Sequence, residues 1–103
     1  GGSSTMGYGI AKAGVEALTK GMAREGGKYN ILVNAITPGI INTRFPKEKC
    51  GRTSFEIKKR ANLSKLKRIG EPSEIAAVID LLISDDVNYI TGEMISVSGG
   101  DWI

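Results

Sequence analysis

The sequence has no histidine and a single cysteine, Cys50, among its 103 residues. A disulfide framework within the chain and a histidine-dependent catalytic triad are therefore excluded, and zinc sites built from those ligands are excluded with them. We expect no metal site, and we expect Cys50 to be a free thiol in a loop. Aromatic residues make up only 6% of the chain, which leaves few rings for stacking on nucleic-acid bases.

The chain also lacks a long apolar run. The longest, Ile75 to Ile83, is interrupted by Asp80, and it is too short to cross a bilayer. No basic and then apolar leader opens the sequence. The length suits one domain with a modest core that buries roughly two-thirds of the unfolded surface. We therefore expect a cytoplasmic α/β protein with no membrane segment.

Charge is distributed unevenly along the chain, although the net charge is only +3. The stretch from 56 to 68 is basic, and no lysine or arginine follows Arg68. Its basic residues are Lys58, Lys59, Arg60, Lys65, Lys67 and Arg68. Such a stretch can meet phosphates, or it can be a solvated helix face beside the acidic segment that follows. Only Phe55 lies nearby as an aromatic platform, so the residues do not favour nucleic acid as a partner.

Apolar periodicity predicts the first two elements. From 6 to 27, apolar and small residues recur every four positions, as in an amphipathic helix that ends at the Gly26-Gly27 pair. The recurring residues are Ile10, Gly14, Leu18 and Met22. Residues 30–37 form a short and nearly continuous apolar run closed by Pro38-Gly39, which is typical of a buried strand in a parallel sheet.

The remaining elements follow the same alternation. Residues 38–70 are irregular and suit a lid over a substrate, with a short helix near Ser54 to Ala61. Pro72 at a first helical turn opens a helix over 72–84, and residues 93–98 form a second strand. The order helix, strand, lid, helix, strand predicts an α/β fold with parallel strands and a right-handed crossover.

One pair of residues suggests chemistry. Tyr8 and Lys12 lie four residues apart, so a helix places both on one face. An ammonium held close to a phenol favours the phenolate, and the pair could therefore move protons. Any helical surface can show this spacing by chance, and an interface tyrosine beside a surface lysine remains the alternative interpretation.

Four motifs together resemble the C-terminal half of a short-chain dehydrogenase/reductase. They are Tyr8-Gly-Ile-Ala-Lys12, Asn30-Ile-Leu-Val-Asn34-Ala-Ile-Thr-Pro38-Gly39 followed by Thr43, Gly70-Glu-Pro72-Ser-Glu-Ile-Ala76, and Ile90-Thr-Gly92 through Gly99-Gly100. They occur in the family's order and cover nearly the whole chain. The resemblance implies the C-terminal part of a Rossmann-like, doubly wound parallel sheet.

The resemblance also implies roles for individual residues. Tyr8 resembles the catalytic general acid, and Lys12 resembles its electrostatic partner, which in the family also bonds the nicotinamide ribose. Pro38 and Gly39 resemble the turn where the backbone approaches the nicotinamide of NAD or NADP. The cofactor residues implied are Lys12, Pro38, Gly39, Ile41 and Thr43. The substrate implied is a small alcohol or carbonyl compound, with Arg44 to Lys67 as its lid.

Parts of the family pattern are missing from this sequence. No glycine-rich turn of the dinucleotide-binding half precedes Tyr8, and Ser3 and Ser4 are too close to Tyr8 to be the family's catalytic serine. Ala11 and Ser98 replace residues that the family often has as serine and as an acid. We therefore expect a fragment of an NAD(P)-dependent oxidoreductase that is inactive alone.

Such a fragment would have a marginal core and an unpaired strand edge. We therefore expect either a longer parent protein or a homo-oligomer formed through the Tyr8 helix and the edge of the first strand. The alternative function is a truncated, non-catalytic association module. In that case Tyr8 and Lys12 would be inherited without a catalytic use.

Overall fold

The computed structural model describes residues 5–43 and 54–103. In these residues the chain forms three α-helices, one 3₁₀ turn and two strands. They are α1 (Thr5–Gly26), the 3₁₀ turn (Gly27–Tyr29), β1 (Ala35–Pro38), α2 (Ser54–Ala61), α3 (Pro72–Leu82) and β2 (Met94–Val97). The predicted α/β class and the order of its elements are confirmed. Three residues named above, Ser3, Ser4 and Cys50, lie outside the described residues. Residues 44–53 of the predicted lid lie outside them as well.

The chain divides into two compact units. The first contains the described residues of Gly1–Ile36 and Asp85–Ile95, and the second contains those of Thr37–Ser84 and Ser96–Ile103. Tyr8 and Lys12 belong to the first unit. The other predicted cofactor residues, from Pro38 to Thr43, belong to the second. The interpretation of the whole chain as one partial domain stays a prediction.

The two strands pair in a small parallel sheet. In the first unit the Ala35 amide donates to the Glu93 carbonyl at 2.9 Å, and in the second the Gly39 amide donates to the Val97 carbonyl at 3.1 Å. Donor and acceptor both advance by four residues, as they do in parallel pairing. The apolar residues of both strands explain why they form here, since such side chains suit a pleated and partly buried surface.

β1 is shorter than the strand predicted over 30–37, and side-chain bonding explains its late start. Asn30 is a left-handed residue with φ of 61° that follows the 3₁₀ turn. The Asn34 side chain then donates to the Ile90 carbonyl at 3.0 Å and accepts from the Glu93 amide at 3.1 Å. The Asn34 side chain thus adds its bonds to one backbone bond on this stretch, from the Gly92 amide to the Val33 carbonyl at 2.7 Å, and the regular ladder begins only at Ala35.

α3 begins where the sequence predicted it to begin. Pro72 stands in its first turn, where a missing amide is tolerated. The Glu74 carboxylate accepts from the Glu71 amide at 3.0 Å, and the Glu74 amide donates to the Glu71 carbonyl at 2.9 Å. These bonds satisfy helix-end groups that would otherwise lack partners. The helix ends at Leu82, two residues before the predicted end.

The core of the described residues is modest. Within this part of the chain Ala23 is the only buried apolar side chain, and Thr19 and Ser64 are the buried polar ones. The apolar residues predicted to recur along α1 are exposed, among them Ile10 at 68% and Leu18 at 61%. Ala23 and Thr19 both belong to α1. Because apolar burial is the main favourable term in folding, we infer that α1 is stabilised through these two positions and gains little from its exposed apolar residues.

Candidate functional site

α1 carries the predicted catalytic pair. Tyr8 and Lys12 are both in the helix and both exposed, with the Tyr8 side chain 60% exposed. Helical spacing puts their Cβ atoms about 5–6 Å apart on one face. A phenol hydroxyl and an ammonium are therefore presented side by side to whatever meets this face. The arrangement offers one group that can give or take a proton and one fixed positive charge.

Gly39 has a structural reason to be glycine. A Cβ atom at this position would lie 2.9 Å from both the Cα and the Cβ of Ser98, and 3.0 Å from Asp101 Oδ2. Atoms that close must shift, and the Ser98 Cα belongs to the backbone. The sequence predicted a close approach of the nicotinamide at Gly39. The structure places the turn that follows β2 against it instead, and the nicotinamide contact stays a prediction.

Ile41 and Thr43 follow Gly39 in a segment that pairs with Gly70. Ile41 forms an isolated parallel bridge with Gly70. In it the Asn42 amide donates to the Gly70 carbonyl at 2.8 Å, and the Gly70 amide donates to the Ile40 carbonyl at 2.9 Å. The Thr43 amide donates to the Ile41 carbonyl at 2.9 Å. The backbone from Ile40 to Asn42 is thus held by hydrogen bonds to Gly70. Pro38 and Thr43, on either side of it, are exposed.

A cavity of about 200 Å³ lies in the second unit and includes Ile41 in its wall. Its apolar lining comes mainly from Ile40, Ile41, Leu66, Ile75 and Val97. Ser98 also lines it, and the buried Ser98 Oγ has no hydrogen-bond partner within the described residues. The sequence marked Ser98 only as a departure from the family pattern, and it held no signal for this cavity.

Arg68 and Glu74 form a two-pronged ion pair at the same cavity. Arg68 Nη1 lies 2.7 Å from Glu74 Oε1, and Arg68 Nη2 lies 2.8 Å from Glu74 Oε2. The hydrogen bond from Arg68, with a further one from the Glu71 backbone, lowers the pKa of Glu74 to about 2. The same hydrogen bond raises the pKa of Arg68. Sequence reasoning missed this pair, because it treated Arg68 only as part of the basic stretch.

The lowered pKa of Glu74 predicts a pH dependence of stability. The folded state favours the ionised carboxylate, so its contribution is complete above about pH 4.5, the ordinary value, and is lost as the pH falls toward about 2. Because the carboxylate is half-exposed, urea unfolding of the wild type and of Glu74→Gln should show a small difference in midpoint that shrinks across this range. A difference that stays constant from pH 6 to pH 2.5 would contradict the prediction.

Other kinds of site find no support in the described residues. Residues 5–43 and 54–103 contain no cluster of three or more side chains of the kinds that ligate metals. In the same residues no helix is both long and apolar enough to cross a membrane. A cytoplasmic location stays a prediction.

Comparison with solved structures defines the class of protein. The chain is similar to a short chain dehydrogenase family protein from Francisella tularensis subsp. tularensis SCHU S4, at 30% identity and a TM-score of 0.79, over 91% of this chain and 42% of that one. It is also similar to a mutant 4-hydroxyisoleucine dehydrogenase complexed with NADH and succinate, at 35% identity and a TM-score of 0.80, over 90% and 38%. The chain therefore has an α/β fold that is consistent with that of short-chain dehydrogenases.

Sequence comparison then gives the family. The family model described as enoyl-(acyl carrier protein) reductase matches residues 1–101. A probable 2,4-dienoyl-CoA reductase of Bacillus subtilis is 43% identical over 94 residues, which are 90% of this chain and 37% of that protein. The chain belongs to the short-chain dehydrogenase/reductase family. It spans about two-fifths of the length of the proteins it matches.

Proposed function

We propose that the chain is part of an NAD(P)-dependent oxidoreductase, which transfers hydride between a nicotinamide and an alcohol or carbonyl compound. The observation that carries this proposal is the placement of Tyr8 and Lys12 on one face of α1 in a member of this family. One of its structural neighbours is a dehydrogenase complexed with NADH, which supports the choice of cofactor class.

Tyr8 is the proposed general acid. In the reducing direction its hydroxyl gives a proton to the carbonyl oxygen, and in the oxidising direction its phenolate takes the proton of the alcohol. Lys12 stabilises that phenolate and donates hydrogen bonds to ribose hydroxyls, for which an exposed ammonium with three donors is suited. A bound nicotinamide would supply hydride to the carbonyl carbon in reduction and would accept it from the alcohol carbon in oxidation.

The segment that begins at the end of β1 contains the other proposed cofactor residues. Pro38 and Gly39 form the turn that would meet the nicotinamide ring, and Ile41 and Thr43 follow on a segment whose backbone is already paired with Gly70. A threonine hydroxyl and backbone groups are suitable partners for a carboxamide or a phosphate. The donors in this segment therefore fit the cofactor chemically.

We further propose that the 103 residues correspond to the C-terminal half of such an enzyme and are inactive when isolated. Tyr8 and Lys12 precede the other three motifs in the family's order. The sequence contains no glycine-rich turn matching the one that lays the pyrophosphate on a helix N-terminus. A chain without that turn should not bind the cofactor saturably. Positioning of the reactants supplies much of the rate in such chemistry, so such a chain should also be inactive.

Titration with NADH and NADPH, followed by nicotinamide fluorescence, tests both parts of the proposal. We expect no saturable binding by the isolated chain. We expect binding, and reduction of acetoacetyl-CoA as a simple ketone thioester, by a fusion of the chain to the part of the Bacillus relative that it does not match. A folded fusion that neither binds the cofactor nor reduces acetoacetyl-CoA would contradict the oxidoreductase proposal. Tight binding of the cofactor by the isolated chain would contradict the proposal that the isolated chain is inactive.

A specific observation favours a second candidate function, a non-catalytic association module. Several apolar side chains on α1 are largely exposed, including those of Ile10, Leu18 and Met22. An exposed apolar stripe of this kind commonly marks a surface that binds another protein, and a second copy of the chain is the partner that we propose. Two results together would favour this function. The chain would form a stable dimer in sedimentation equilibrium, and its fusion would neither bind nicotinamide nor reduce a ketone.

A further inference from the structure

The Glu74 carboxylate binds residues on both sides of Gly70 in the second unit. It accepts two hydrogen bonds from the Arg68 guanidinium, at 2.7 and 2.8 Å, and one from the Glu71 amide at 3.0 Å. Arg68 Nη1 also donates to the Ile69 carbonyl at 3.2 Å. The chain on both sides of Gly70 is therefore tied to the first turn of α3.

Gly70 and Glu71 in turn hold the segment that follows β1. Gly70 exchanges two backbone hydrogen bonds with this segment, one with the Ile40 carbonyl and one with the Asn42 amide, at 2.9 and 2.8 Å. The Asn42 side chain reaches both carboxylate oxygens of Glu71 at 3.4 Å. Contact is close enough that a Cβ atom at Gly70 would lie 3.0 Å from Ile41 Cδ1.

We propose that Arg68 and Glu74 are positioning residues, which set the backbone of Ile40–Thr43 by fixing Gly70 and Glu71. The inference rests on the proposed function in one respect, because that function makes this segment part of the cofactor site. Neither Arg68 nor Glu74 is assigned contact with cofactor or substrate. Their effect passes through the two backbone bonds at Gly70.

The ion pair is better suited to fixing the backbone at Gly70 and Glu71 than to stabilising the whole fold. It is half-exposed, with side-chain exposures of 51% for Arg68 and 41% for Glu74, and exposed pairs add little to global stability. Two parallel bonds between a guanidinium and a carboxylate do, however, fix orientation. Removal of the pair should therefore loosen the bridge at Gly70 without unfolding the rest of its unit.

Amide hydrogen exchange on the full 103-residue chain tests the inference. In Glu74→Gln, protection of the Asn42 and Gly70 amides should fall by about tenfold or more, as in local opening. The Gly39 amide, which donates to Val97, should change by less than about threefold. Asp80→Asn is the matched control, since it removes an exposed carboxylate from the same helix, and it should alter none of the three amides.

A conservative variant separates positioning from simple packing. Arg68→Lys keeps the charge but not the paired geometry, so it should give protection between that of the wild type and that of Glu74→Gln. In the wild type, protection of Asn42 and Gly70 should also fall as the pH drops from about 4.5 toward about 2, because the opened state takes up a proton at Glu74, whereas the hydrogen bonds from Arg68 and Glu71 keep the pKa of Glu74 low in the closed state. Equal protection at Asn42 and Gly70 in the wild type and Glu74→Gln would overturn the inference, and so would a fall of the same size at Gly39.

The proposed function fails by a different measurement. If neither the chain nor its fusion binds NADH, the cofactor role of the segment is lost. The exchange experiment then still decides whether Arg68 and Glu74 hold Ile40–Thr43. The two failures are therefore distinguishable.

Discussion

Replacement of Tyr8 by phenylalanine is expected to lower kcat for ketone reduction by about 10²- to 10⁴-fold, the range that a positioned general acid contributes. Phenylalanine keeps the ring and removes only the hydroxyl that would give its proton to the carbonyl oxygen. Tyr8 is 60% exposed, so the loss of one hydroxyl there should leave folding almost unchanged. The measurement is NADPH- or NADH-dependent reduction of acetoacetyl-CoA by the fusion protein.

The matched control is Tyr89→Phe, which removes the same hydroxyl from a fully exposed tyrosine in the same unit. We expect its kcat to stay within about twofold of the parent, as for most surface substitutions. NADH affinity should be similar in the parent protein and in Tyr8→Phe, because the hydroxyl is assigned to proton transfer. Full activity in Tyr8→Phe would remove Tyr8 from the mechanism, and an equal loss in Tyr89→Phe would point to a structural cause.

The second large effect is expected at Gly39. Gly39→Ala should lower the free energy of unfolding by about 1–3 kcal/mol, the usual cost of overpacking. The added methyl would lie 2.9 Å from the Ser98 Cα, and relief requires movement of the turn after β2. Urea unfolding of the isolated chain measures this change without any reference to cofactor.

Gly14→Ala is the control for the Gly39 substitution. Gly14 lies inside α1, and a Cβ atom there would meet nothing within 4 Å. Alanine should stabilise the helix by about 1 kcal/mol relative to glycine. Opposite signs for the two glycine substitutions would support the structural account. A neutral Gly39→Ala would show that the turn at Ser98 yields easily and would contradict the structural account of Gly39.

Local sequence signals predicted several elements well. Pro72 marked the start of α3, and the short helix predicted near Ser54 to Ala61 corresponds to α2. The Gly26-Gly27 pair marked the end of α1. These signals succeed because capping, proline geometry and helical periodicity depend on residues within a few positions of one another. The start of β1 was predicted five residues too early.

The site was predictable only in part. The spacing of Tyr8 and Lys12 can be found in the sequence, because one helix turn fixes it. Family resemblance predicts cofactor roles for Pro38, Gly39, Ile41 and Thr43, and these roles stay predictions. Asn34 illustrates the rest, since its side chain bonds the amide of Glu93, 59 positions away. No local sequence pattern identifies such a distant partner. A nearly continuous apolar run that contains one asparagine predicts only a buried strand.

The sequence by itself determined the order of elements, the helical face that presents Tyr8 and Lys12, and membership of the short-chain dehydrogenase/reductase family. Only the tertiary structure decided that Ser98 lies against Gly39 and that Gly70 holds the segment after β1. It also decided that Glu74 engages Arg68 and Glu71 together, with the pKa of Glu74 lowered as a result. The physical reason is that helices and turns form from neighbours in the chain, whereas backbone clashes and shared hydrogen bonds depend on which distant residues folding brings together.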